Sequence, residues 1–156
     1  MKSRALSCRP TGTGSRQHGA TIVEFGLIAA VFFTLLLGIA EFSRVLFYWN
    51  TAAEVTRLGA RMAVVCDAGD AVIKTRMRNL LPLLQNSNIS LVYSPAGCDS
   101  DAATARATCQ SVTVSVTGVT VNTVIPLVPL SLGMPPFTTT MTRESLRTAT
   151  GGTVCG

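Results

Sequence analysis

Residues 19–40, GATIVEFGLIAAVFFTLLLGIA, leave this chain few options. From Ala20 to Ala40 every residue is apolar or small except Glu24. At about 1.5 Å per residue such a helix spans roughly the 30 Å of bilayer hydrocarbon. Lys2, Arg4, Arg9 and Arg16 precede it, with no acid among them. That asymmetry holds the N-terminus in the cytoplasm and sends the remainder across. The chain therefore divides into a basic leader (1–19), a transmembrane helix (20–40) and an extracytoplasmic domain (41–156).

Glu24 is the anomaly in the span. A carboxylate at membrane depth costs at least ~2.5–3.5 kcal/mol on insertion scales, so such residues usually serve a function. A plainer reading is also open: Glu24 lies near the cytoplasmic end and its side chain reaches the headgroups. Its setting argues for function. A basic leader ends in Gly19, small Ala20 follows, then Thr21, Ile22, Val23, Glu24 and Phe25.

This arrangement resembles the processing site of type IV pilin-like proteins, and most of all the TadE-like minor pilins of the tight-adherence (Flp) pilus system. The likeness covers about 47 residues. It includes the Glu24-Phe25 and Glu41-Phe42 pairs and the run from Ala53 to Arg61 that contains Arg57 and Gly59. The resemblance implies a structural subunit, a minor pilin or pseudopilin, serving adhesion or secretion. It implies that a prepilin peptidase cuts between Gly19 and Ala20, and that Glu24, beside Phe25, then neutralises the new N-terminal amine of a neighbouring subunit. The implied partners are other pilins and pseudopilins, the prepilin peptidase, an inner-membrane assembly platform and the lipid bilayer. The implied location is the inner (cytoplasmic) membrane or a pilus built from it.

Composition sets the bounds. Of 156 residues, 47% are hydrophobic and 13% charged. Beyond the span there is material for one small domain, not two. The net charge of +5 misleads, because four of thirteen Lys and Arg lie in the leader, leaving nine against eight Asp and Glu. A near-neutral body gives no electrostatic case for nucleic acid.

Cys8 lies in the leader, while Cys66, Cys98, Cys109 and Cys155 lie in the exported part, where oxidation is expected. Four cysteines allow three pairings. We favour Cys98 with Cys109, which closes a short polar loop, leaving Cys66 for Cys155. Zinc is disfavoured by the absence of Cys-x-x-Cys spacing and of accompanying histidine.

Along the body, Phe42, Val45, Leu46, Trp49, Ala52, Ala53, Thr56, Ala60, Ala63 and Val64 recur at helical spacing. No proline interrupts residues 20–65. One helix of about 45 residues, roughly 67 Å, is therefore expected, its first half in lipid and its second amphipathic. Glu41 with Arg44 and Glu54 with Arg57 are spaced to pair. Trp49 is assigned to the core and Tyr48 to a membrane interface. Gly69 and Asp70 signal a turn, and Ala71 to Leu84 reads as a second amphipathic helix that Pro82 ends or bends, with Lys74, Arg76 and Arg78 on its solvated face. Residues 85–88 read as a loop. Strands are expected at 89–93, at 111–121, where Val alternates with Ser and Thr, and at 137–146, with a proline-rich loop before the last. The fold class is α+β: a long N-terminal helix packed on a small antiparallel sheet.

The only histidine, His18, is in the leader, so a body starting at Ala20 lacks Ser-His, Cys-His and His-metal chemistry. Asp99 and Asp101 form a small acidic group better read as a solvated loop than a calcium site. No nucleotide-binding motif occurs. The expectation is no enzyme, no cofactor and no metal. Two rivals to a pilin stay open. One is a single-pass anchored binding module without a filament role. The other is a secreted domain cut after Ala40, whose small residues Gly38 and Ala40 suit signal cleavage.

Overall fold

The computed structural model describes residues 18–125 and 129–155; residues 1–17 of the basic leader, Cys8 among them, lie outside these. Helix α1 (His18–Val65) is followed by α2 (Ala71–Leu80), β1 (Ile89–Ser94), α3 (Ala102–Thr108), β2 (Ser111–Val116), β3 (Thr120–Asn122), β4 (Ser131–Gly133) and β5 (Phe137–Thr142). The chain divides into two compact units between Gly38 and Ile39. In the first, the described residues are helix α1 up to Gly38, which carries the apolar segment.

The second unit is α+β, as the sequence reading expects. Its three-stranded sheet has the order β1-β2-β5, all antiparallel, and β3 and β4 form a separate hairpin. The alternation of β2 turns Val112, Val114 and Val116 inward. They join Ala52, Val55, Ala60 and Ala63 of α1 and Ile73 and Met77 of α2 in one buried core. Small residues on the α1 face let these layers approach closely. Thr56, buried among them, satisfies its hydroxyl by donating to the Ala52 carbonyl at 2.7 Å.

Helix α1 ends where the C-terminal segment covers it. The last turn of a helix leaves carbonyls without intrahelical partners. Here the N–H groups of Glu144 and Leu146 donate to the Val64 carbonyl, and that of Arg147 donates to the Val65 carbonyl. The Ser145 hydroxyl adds a second bond to Val65. Cys66 is joined to Cys155 and Cys98 to Cys109, with Cα separations of 5.6 and 5.1 Å. Asp70 caps α2 by accepting from the Val72 N–H, and its other oxygen accepts from Thr148 of the same C-terminal segment.

Several expectations are corrected. Helix α2 stops at Leu80, not Leu84, because the residue before Pro82 is pushed out of helical backbone. Leu80 is exposed, and Ile73 and Met77 are the buried residues of this helix. Residues 86–88 form a 3₁₀ turn. The expected strand 111–121 is two strands, broken at Gly118, whose φ of +68° suits glycine alone. The loop between Cys98 and Cys109 contains α3, which Asp101 caps by accepting from the Ala103 and Thr104 N–H groups. The last strand ends at Thr142. Tyr48 packs against the core instead of standing clear of it, and Trp49 is half-buried at the core's margin.

Candidate functional site

The segment that sets this chain apart is the exposed apolar part of α1. Its most apolar eighteen-residue window has a mean hydropathy of 2.5 and is 0% buried. Ile22, Val23, Phe25, Leu27 and Ile28 begin a series of exposed large side chains that continues to Ile39. In water such a surface is unstable, since burying one Leu or Phe side chain stabilises by about 1.5–3 kcal/mol. The helix is long and apolar enough to cross a bilayer. The Thr34 hydroxyl donates to the Ala30 carbonyl at 2.8 Å, so that hydroxyl is satisfied within the helix.

Gly19 and Ala20 lie in the first turn of α1. The N–H groups of that turn have no intrahelical acceptor, which makes it the easiest part of the helix to open. Glu24 and Phe25 are exposed on the same helix. Glu24 stands four residues after Ala20, on the same face. Among the described residues Glu24 forms no ion pair.

Immediately after the apolar segment, the second unit builds a junction that sequence reasoning missed. The expected pair is present: Arg44 donates to Glu41 at 2.7 Å. The Glu41 carboxylate also accepts from the Val124 N–H at 2.8 Å, and Arg44 donates to the Asn122 carbonyl. One ion pair thus ties the β3–β4 hairpin to the first turn beyond residue 40. The hydrogen bond from Arg44, then that from Val124, holds the Glu41 carboxyl below its ordinary value. Bonding to Glu41 raises that of Arg44 in turn. The Arg44 guanidinium lies 5.7 Å from the Tyr48 ring centroid. Beside this junction, Glu41, Phe42, Val45, Trp49, Thr123 and Leu132 line a cleft of about 250 Å³. The Trp49 indole N–H is enclosed there without a hydrogen-bond partner among the described residues.

Glu54 and Arg57 form their expected pair at 2.8 Å on the exposed face. Gly59, two residues on, has a structural reason. A Cβ at this position would lie 2.5 Å from the Met77 sulfur of α2, and Met77 is fully buried. Cys66, Cys98, Cys109 and Cys155 are engaged as two disulfides, and among the described residues no group of three or more His, Cys, Asp or Glu side chains stands ready for a metal. Asp101 is occupied as the α3 cap, and hydrogen bonds from Thr104 hold its carboxyl below the ordinary value.

No curated protein and no solved structure matches the chain. A family model does: the one described as TadE-like protein matches residues 19–61. That segment begins at the glycine before Ala20, runs through the apolar helix and the Glu41–Arg44 pair, and ends just beyond Gly59. Over this segment, confined to its N-terminal helix, the chain is similar to the TadE-like protein family.

Proposed function

We propose that this chain is a minor pilin or pseudopilin of a Tad (Flp) type pilus, made as a prepilin, cut between Gly19 and Ala20, and anchored by residues 20–40 with its C-terminal domain outside the cytoplasm. The similarity of residues 19–61 to the TadE-like family supports association with a Tad pilus. The observation that carries the finer reading is the exposed apolar helix holding a single acid, Glu24, one turn after a Gly-Ala bond. Cleavage creates an α-amino group on Ala20, positive at neutral pH. A lone carboxylate in lipid is unfavourable, whereas an amine–carboxylate pair is far less so. Processing therefore creates the charge that Glu24 needs, on its own subunit or on a neighbour packed beside it, and so couples cleavage to assembly. Two disulfides in the second unit suit an oxidising compartment.

The test is the mature N-terminus in cells with an active prepilin peptidase. Ala20 is expected. Met1 supports an anchored module without processing, and Glu41 a secreted domain. Gly19→Leu places a side chain at the scissile bond and should leave a form heavier by about 2 kDa, since 1.36 kcal/mol of lost transition-state binding already slows cleavage tenfold. Identical migration of the variant and the wild type rejects the processing step.

A further inference from the structure

The β3–β4 hairpin carries a set of apolar side chains that its own fold does not use. Val124 is 72% exposed, Leu130 55% and Leu132 40%, and Phe42 of the adjoining α1 turn is 64% exposed. The surrounding sequence is unusual for a surface: residues 107–142 contain no Asp, Glu, Lys or Arg. Isolated exposed apolar residues need no explanation, but a cluster on an uncharged surface marks a contact.

Position identifies the contact. Val124 is hydrogen-bonded to Glu41, and Asn122 to Arg44. On the anchored reading Glu41 is the first residue after the span from 20 to 40, so the hairpin is bonded to the residue at which the chain leaves the bilayer. The same stretch of α1 carries Phe42 and Phe47, both exposed. Aromatic residues concentrate where a membrane helix leaves the hydrocarbon. The hairpin segment itself, within residues 107–142, carries no charged side chain to steer a protein partner.

We infer that the β3–β4 hairpin seats Val124, Leu130 and Leu132 in the interfacial layer of the extracytoplasmic leaflet, making a second membrane contact beside the transmembrane helix. The inference rests on the anchored reading above. The Glu41–Arg44 pair is then a bracket: it fastens the hairpin to the helix at the depth where the hairpin meets lipid. The domain would be held against the membrane at two points and lose freedom to swing about the end of the span.

The full chain has one tryptophan, Trp49, which allows a clean probe. Leu130→Trp in a Trp49→Phe background, reconstituted in phosphatidylcholine vesicles, places an indole in the patch. Val92→Trp in the same background places one on β1, where Val92 is 56% exposed. With lipids brominated at the headgroup end of the acyl chains, emission from Leu130→Trp should fall by about half, and from Val92→Trp by less than about a tenth, as expected for an interfacial and a solvated indole. Adding Val124→Asp should restore most of the Leu130→Trp emission. Unquenched Leu130→Trp in protein that resists alkaline carbonate extraction overturns the hairpin contact and leaves the anchor standing. Equal quenching at both positions also overturns it, as general adsorption. Release of the protein by carbonate overturns the anchor and the hairpin contact together.

Discussion

Glu24 and Gly59 are the two residues whose chemistry is most exposed to test. Glu24→Gln removes the charge and keeps the shape. If the carboxylate pairs with an N-terminal amine in lipid, membrane insertion should be unchanged or improved. Co-purification of partner pilins from crosslinked membranes should fall by roughly tenfold, the effect of about 1.4 kcal/mol. Equal recovery, with both forms cleaved and equally abundant, would leave Glu24 as an interfacial residue. Gly59 lies in the family-matched segment for a packing reason: the Met77 sulfur occupies the space of a Cβ. Gly59→Ala should destabilise by about 1–3 kcal/mol, the usual cost of overpacking a tight core. Denaturant unfolding in detergent, followed by Trp49 emission, measures it. In a Met77→Ala background the same change should be nearly neutral, because the clash partner is gone. An equal loss in both backgrounds would mean that the α1–α2 contact is not the cause.

At the scale of elements, the hairpin is the part with the least core of its own. β3 buries Val121, while the three residues of β4 are all exposed. Its attachment to α1 runs through Glu41 and is therefore sensitive to pH. The Glu41 carboxyl is held below its ordinary value by Arg44 and by the Val124 N–H. A group lowered on folding contributes in full above its unfolded value and loses that contribution as pH falls through the folded one. Protection of the Val124 amide from hydrogen exchange should thus be constant near neutrality and decline below roughly pH 4. Glu41→Gln keeps an acceptor but removes the charge, so the decline should vanish. A wild-type profile flat to strong acid would show that the carboxylate does not hold the hairpin.

For the whole molecule, the long-range closure matters more than the local one. The Cys66–Cys155 bond joins positions 89 apart and holds the C-terminal segment over the last carbonyls of α1. The Cys98–Cys109 bond joins positions 11 apart around α3. Loop-closure entropy gives roughly 4–5 kcal/mol for the first and about 3 kcal/mol for the second. Replacing Cys66 and Cys155 by serine should therefore lower the unfolding midpoint further than replacing Cys98 and Cys109. It should also expose the amides of Leu146 and Arg147 to exchange. The reverse order of stabilities would contradict this account.

What the sequence determined by itself is the part governed by local and periodic physics. Twenty-one residues, all apolar or small except one acid, make a helix that suits a bilayer wherever it folds, and the absence of proline through residue 65 lets α1 continue into the domain. Alternating valines specify β2 for the same reason. The strand beyond them breaks at Gly118, whose backbone freedom the alternation concealed. Helix α3 was hidden in a polar loop because a seven-residue helix has too few turns for a pattern; Asp101 followed by Ala-Ala-Thr was its one signal. The packing of Tyr48 against the core depends on which face of α1 meets the domain. Only the tertiary structure decided how Glu41 is used. The acid and Arg44 are legible as an i,i+3 pair, but the Val124 N–H that completes the junction lies 83 positions away. Nothing local joins those two residues. They meet because the core packs the strands against α1, which brings the hairpin to the first turn beyond the span.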